Sequence, residues 1–144
     1  MNQAADKAGL SIRKVHPSLG AEVRGVDFRA PLPQATLEGI KQAWAEHLVL
    51  VFPDQPVTDE QHVAVTRCFG EPEVFHQSII KSKRVAEIFR VANTDDDGKL
   101  MAPSDPTMKQ LSSARQWHTD SSYRERPSIG SLLHGIEISR TGGI

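Results

Sequence analysis

Apolar residues recur along the first half of the chain in two rhythms. Leu10 to Val15 and Ala21 to Phe28 are short runs with alternating character, separated by His16-Pro17-Ser18-Leu19-Gly20. Alternation puts every second side chain on one face of a strand. Pro17 and Gly20 punctuate a turn, so the pattern predicts two strands able to pair as a hairpin. The alternation slips around Gly25, where a bulge fits. After Pro31 and Pro33 the period lengthens: Leu37, Ile40, Ala43, Trp44 and Leu48 stand three and four apart and predict a helix. Thr36 is its expected N-cap, Glu38 sits in its first turn, and Trp44 is read as a core anchor.

Leu48-Val49-Leu50-Val51-Phe52 is continuously apolar and stops at Pro53, the pattern of a strand buried on both faces. Thr58-Asp59-Glu60-Gln61 is a capping box opening a second helix. That helix is expected to run through Val65, Cys68 and Phe69 and to end at Gly70, a natural residue just past a helix end. The second half is less regular. Ala86 to Ala92 and Gly130 to Ile138 read as strands, with His134 on the apolar face of the latter as a core histidine. Asn93 to Lys99 is a polar turn; its acidic triplet lacks the alternate spacing and the twelfth-position glutamate of a calcium loop. Leu100 to Ala114 reads as a long loop rich in Pro, Ser and Thr, of the kind that serves as a lid or binding segment.

Composition narrows the classes. A chain of 144 residues is one ordinary domain, and 38% hydrophobic with 24% charged residues suits a soluble globular protein. A net charge of −1 gives no electrostatic footprint for nucleic acid. No apolar run approaches the roughly 20 residues that span a bilayer, and no secretory signal is visible, so no membrane partner is expected. Cys68 is the sole cysteine, which excludes an internal disulfide and makes the cytoplasm the default location. The thiol reads as a small buried residue. The closing Thr141-Gly142-Gly143-Ile144 is a turn signal with no following element, as in the first half of a longer domain.

The candidate chemistry lies in Gln116-Trp117-His118-Thr119-Asp120-Ser121-Ser122-Tyr123. On a strand, residues two apart face the same side. His118 and Asp120 can then offer a nitrogen and an oxygen to one point, part of what a non-haem Fe(II) site needs. The same triplet also occurs near chance level in ordinary strands and capped turns. Zn²⁺ accepts the same donors. Trp117, on the opposite face, reads as packing. Lys99 and Arg115 could steer an anionic substrate or simply be solvated.

Several motifs fall in an order that resembles one family. They are Leu19 to Asp27; His47 to Phe52 with Asp54-Gln55; Thr58 to Gln61 leading to Phe69-Gly70-Glu71; Trp117 to Tyr123; then Pro127, Leu132-Leu133 and Gly142-Gly143. Together they resemble the Fe(II)/2-oxoglutarate-dependent dioxygenases of the taurine dioxygenase and 2,4-dichlorophenoxyacetate dioxygenase family, over about Leu10 to Gly143. The Trp-His-x-Asp-Ser-Ser-aromatic form is closer to the branch acting on aryloxyalkanoates. The resemblance implies a mainly β fold with flanking helices. This is the double-stranded β-helix, or jelly roll, of clavaminate synthase-like enzymes, here in one domain over residues 1–144 and incomplete at its C-terminal side. It implies that His118 and Asp120 are two of three Fe(II) ligands. A further His, a 2-oxoglutarate-binding Arg and a Thr after the glycine pair would lie past Ile144.

The resemblance also implies hydroxylation of a small anionic organic acid, a sulfonate or an aryloxyalkanoate. O2 and 2-oxoglutarate are co-substrates, and succinate and CO2 are products. His76 and Asn93 are candidate substrate contacts on that analogy, against an exposed loop histidine and a turn cap. The full-length parent is expected to be a homo-oligomer. The alternative is that the 144 residues are a non-catalytic fragment of such an enzyme.

Overall fold

The computed structural model describes residues 5–7, 9–74, 85–95, 97–113 and 116–141. Two compact units divide between Glu71 and Pro72.

The first unit is a four-stranded sheet and two helices. Strands β1 (Ala5–Lys7), β2 (Leu10–Lys14), β3 (Ala21–Arg24) and β4 (Leu50–Val51) lie in that order across the sheet. The expected hairpin is β2 with β3, antiparallel, with Ile12 opposite Val23. Its alternation does what a period of two dictates: Leu10, Ile12, Ala21 and Val23 are all buried on one face. On the other face Arg13 donates to its cross-strand partner Glu22 at 2.8 Å, and Arg24 donates to the same carboxylate at 2.7 Å. These bonds, Arg24's first, hold the Glu22 carboxyl below its usual range. Strand β1 was not foreseen from sequence; it forms a second hairpin with β2.

Helix α1 (Gln34–His47) packs Ile40 and Ala43 onto the sheet, completing the core. It begins two residues before the expected cap, after Pro33, whose fixed φ lets the chain enter the helix without a side-chain cap. Glu38 therefore lies beyond the first turn. His47 is buried on the same stripe, one turn after Ala43. Trp44, expected as a core anchor, is only half-buried and outside the core cluster; it meets Phe69 edge-on and ties the helix end through a polar contact. Its indole N–H donates to the Leu48 carbonyl at 3.0 Å while the Leu48 N–H donates to the Trp44 carbonyl at 2.7 Å. The pair closes the helix over Leu48, whose φ is 65°.

The chain then returns as β4, parallel to β3, with Ala21 opposite Leu50. Parallel pairing needs a crossover, and α1 supplies it. The expected five-residue strand buried on both faces is a correction: only Leu50–Val51 is strand, and Val49 and Val51 are about half exposed. Among the described residues β4 is a sheet edge, so a run of apolar residues is not matched by two covering layers. Gln55 follows and pins the loop after β3. Its amide donates to the Val26 carbonyl at 3.0 Å and its oxygen accepts from Phe28 N–H at 3.0 Å.

Helix α2 (Asp59–Arg67) has the capping box read from its sequence, with Thr58 N–H donating to Gln61 Oε1 at 2.9 Å and Gln61 N–H to Thr58 Oγ1 at 3.3 Å. Thr58→Ala is expected to cost about 1 kcal/mol, the usual worth of such a cap, read as a lowered urea midpoint. Val63 and Val65 are buried. The helix ends earlier than expected, at a Cys68 cap that is only half-buried, and Gly70 does not adopt the left-handed conformation.

The second unit departs further from expectation. No strand covers Ala86 to Ala92; an isolated bridge joins Thr94 to Leu100 around the polar turn. Asp95 builds that turn, its Oδ1 accepting from the Asp97 and Lys99 amides at 3.0 and 2.9 Å. The stretch expected to be a loop contains helix α3 (Pro106–Ser113). Asp105 caps it, accepting from Thr107 N–H at 2.8 Å, and Pro106 takes the first helical position, where its missing N–H costs nothing. Gly130 to Ile138 is not a strand either. Leu133, Ile136 and Ile138 are exposed and His134 is half-buried rather than in a core. Alternation creates a strand only where a partner edge takes up its backbone groups.

Candidate metal centre

Gln116 is a bend and Trp117 to Thr119 carry no regular secondary structure, so the pair does not sit on a strand, and Asp120 to Tyr123 forms a turn. Two residues along an extended chain advance roughly 6.6 Å. His118 and Asp120 nevertheless lean together until Nε2 and Oδ1 are 3.1 Å apart. Side by side on a six-coordinate ion, two ligands each about 2.1 Å from the metal stand about 3 Å apart. The nitrogen-oxygen pair thus has the spacing and the donor types of two adjacent metal ligands. Both side chains are at least half exposed, 50% for His118 and 63% for Asp120, which leaves room for other ligands. Among the described residues no cluster of three His, Cys, Asp or Glu side chains forms.

The other imidazole nitrogen is committed. His118 Nδ1 lies 2.7 Å from the Gln116 carbonyl oxygen. A carbonyl only accepts, so Nδ1 carries the hydrogen, and Nε2 is left with a lone pair toward Asp120 when the ring is neutral. A lone pair and a carboxylate oxygen that close repel unless a cation sits with them: a proton on Nε2 or a metal ion. The Gln116 carbonyl first, and then the Asp120 charge, raise the His118 pKa above its ordinary value, the protonic form of the same preference. The sequence could not name the acceptor that orients His118; it is a main-chain oxygen two residues back, the usual arrangement behind a metal-bound histidine.

Asp120 Oδ2 accepts from Ser131 Oγ at 3.3 Å. The next residue, Ser121, has φ 55° and donates to Glu73 Oε2 at 2.6 Å. Glu73 also accepts from Ser128 Oγ at 2.9 Å and pairs with Arg124 Nη2 at 2.5 Å. None of Glu73, Arg124, Ser128 or Ser131 carried a sequence signal; their roles come from contacts across the unit.

The other candidates are not brought to the pair. Asn93 is exposed at the start of the Asp95 turn, where its carbonyl accepts from Met101 N–H at 2.9 Å, and none of its described bonds reaches His118 or Asp120. Lys99 is exposed. His76, Arg115 and Gly142-Gly143 lie outside the described residues. Trp117, expected to pack, is fully exposed.

The chain is similar to known proteins over most of its length. The chain is 33% identical over 132 residues to the (S)-phenoxypropionate/alpha-ketoglutarate-dioxygenase of Sphingobium herbicidovorans, an alignment covering 92% of this chain and 42% of that protein. It is 27% identical to the alpha-ketoglutarate-dependent 2,4-dichlorophenoxyacetate dioxygenase of Cupriavidus pinatubonensis, covering 90% of this chain and 46% of the relative. The chain thus spans less than half the length of these curated relatives. Among solved structures, it matches the crystal structure of AAD-2 in complex with Mn(II) and N-oxalylglycine at a TM-score of 0.67 and 30% identity, over 82% of this chain and 38% of that one. A taurine dioxygenase from Burkholderia xenovorans matches at 0.64 and 26% identity, over 83% of this chain and 37% of that one. These neighbours are jelly rolls, and the small sheet with its helices is a partial counterpart of that architecture. The model of the taurine catabolism dioxygenase TauD, TfdA family matches residues 11–144, and the chain belongs to that family.

Proposed function

We propose that the protein containing this chain is an Fe(II)- and 2-oxoglutarate-dependent dioxygenase that hydroxylates a small anionic organic acid of the aryloxyalkanoate or sulfonate type. The observation that carries the reading is the 3.1 Å approach of His118 Nε2 to Asp120 Oδ1, with the ring's other nitrogen held by Gln116. The named substrates of the relatives support the acid class, and the Mn(II) and N-oxalylglycine of the AAD-2 structure support the metal and the 2-oxoglutarate. Fe(II) with bound 2-oxoglutarate supplies oxidising power: O2 is consumed, 2-oxoglutarate becomes succinate and CO2, and a substrate C–H becomes C–OH.

The chain's own work is narrower. His118 presents a neutral nitrogen in one tautomer, Asp120 adds negative charge beside it, and the exposure of both leaves positions open for 2-oxoglutarate and O2. His76 and Asn93 remain proposed substrate contacts. The same reading takes residues 1–144 as part of one jelly-roll domain of a cytoplasmic homo-oligomer. No described helix is long and apolar enough to cross a membrane.

A second reading applies to the 144 residues alone: they bind metal weakly and do not turn over. It rests on the pair being two donors of a facial set of three. The test measures succinate formed from 2-oxoglutarate, with O2 uptake, by the full-length protein with Fe(II) and a phenoxyalkanoate, a sulfonate or an alkyl sulfate. Iron-dependent succinate is expected. Metal-dependent hydrolysis without O2 uptake would instead assign a zinc-type site, and no turnover with any of the acids would end the proposed substrate class.

A further inference from the structure

The geometry points to Glu73 as a positioning residue: its carboxylate sets the conformation of the turn that carries Asp120, and through the turn the direction of the Asp120 carboxylate. The functional half of this inference rests on the metal reading above.

Asp120 is not held by packing. Its side chain is 63% exposed, and its hydrogen bond from Ser131 is a long one at 3.3 Å. Its carboxylate also meets His118 Nε2 at 3.1 Å, and the backbone that carries Asp120 sets where that contact can form. That backbone is in an uncommon state immediately after it: Ser121 has φ 55°, a left-handed conformation that crowds any side chain with a Cβ and persists where surrounding contacts enforce it. The turn's own bond, Arg124 N–H to the Ser121 carbonyl at 3.0 Å, is ordinary.

The enforcing contacts converge on one carboxylate. Glu73 Oε2 accepts from Ser121 Oγ at 2.6 Å and Ser128 Oγ at 2.9 Å, the two hydroxyls being 3.1 Å apart, and Oε1 pairs with Arg124 Nη2. Bonds to a charged acceptor are short and strong, and the Glu73 side chain, only 23% exposed, is partly shielded from competing water. One anion thus gathers the residue after Asp120, the residue closing the turn and a residue beyond Pro127.

The test uses the full-length protein. Mn(II) affinity is followed by the electron paramagnetic resonance signal of the free ion, folding by the thermal midpoint, and the turn by amide hydrogen exchange of residues 120–124 without metal. Glu73→Gln is expected to weaken Mn(II) binding about tenfold, as loss of an orienting partner does, and to speed exchange across the turn. Ser121→Gly relieves the left-handed backbone while removing the hydroxyl. It is expected to lose a similar factor in Mn(II) affinity with the midpoint held within about 3 °C. A merely structural role would shift midpoints and leave the affinity of the folded protein alone. Unchanged Mn(II) affinity in both variants overturns the inference. The exchange measurement separates it from the metal reading. If wild type and His118→Ala bind Mn(II) alike, the metal reading falls. In that case faster exchange in Glu73→Gln still supports the hold on the turn, and unchanged exchange removes it.

Discussion

Replacing His118 by alanine in the full-length protein is expected to abolish both tight metal binding and 2-oxoglutarate turnover without unfolding the protein. The geometry supplies both halves of that expectation. Nε2 is one of two donors 3.1 Å apart, so its loss leaves a single carboxylate from this segment, and a lone oxygen donor neither fixes geometry nor favours an N/O-preferring metal. A change in an orienting partner alone costs 10–100-fold in metal affinity, so loss of the ligand itself is expected to cost more than about 100-fold. The side chain is half exposed, and its hydrogen bond is to the main chain two residues away, so no core contact goes with it. The thermal midpoint should stay within about 2 °C.

Asp120→Asn is the sharper companion. It keeps the shape and the Ser131 contact site but removes the charge, and it should lose turnover nearly as completely. Metal titration and succinate formation on both variants check the assignment. Turnover retained in either variant at near wild-type levels would remove that residue from the proposed metal site.

The second large effect concerns folding. Gly25→Ala is expected to destabilise the first unit by about 3 kcal/mol, combining backbone strain with overpacking. Gly25 has φ 89°, which L-residues rarely adopt, and a Cβ there would stand 2.2 Å from the Gly9 carbonyl oxygen. The obstacle is main chain in the turn joining β1 to β2, so it cannot rotate away as a flexible side chain would. Gly70→Ala is the matched control, since nothing lies within 4 Å of the added carbon and its φ is not positive. Urea midpoints should fall markedly for Gly25→Ala and hardly at all for Gly70→Ala. Equal midpoints would mean that the β1–β2 turn does not pack over Gly25.

Gly25 also shows how much of this fold could be read in advance. The slip in alternation marked the position, and the bulge expected there was the right place for the wrong reason: the strand ends at Arg24, and the glycine makes room for another turn. The Thr58–Gln61 capping box was fully legible because every atom in it lies within four residues. Helix α3 had an equally local signal in Asp105-Pro106, outweighed by the Ser, Pro and Thr around it. The β2–β3 hairpin was legible for the same reason, a short turn between two alternating runs.

What was not legible depends on partners distant in sequence. The apolar run at Leu48 to Phe52 could not announce that only two of its residues pair, in parallel, with β3. At the site, the spacing of His118 and Asp120 was a chance-level pattern by itself; the motif order around the pair was enough for the family and singled the two out as proposed ligands. The orientation of His118 by a carbonyl, the left-handed Ser121 and the reach of Glu73 across 48 positions to Ser121 were not legible. Local chemistry is written in neighbouring side chains because near-neighbour bonds ask little of the rest of the chain. Strand pairing, burial and the contacts of Glu73 with the Ser121 turn require loop closure between distant residues, whose cost is met only by the contacts of the folded chain.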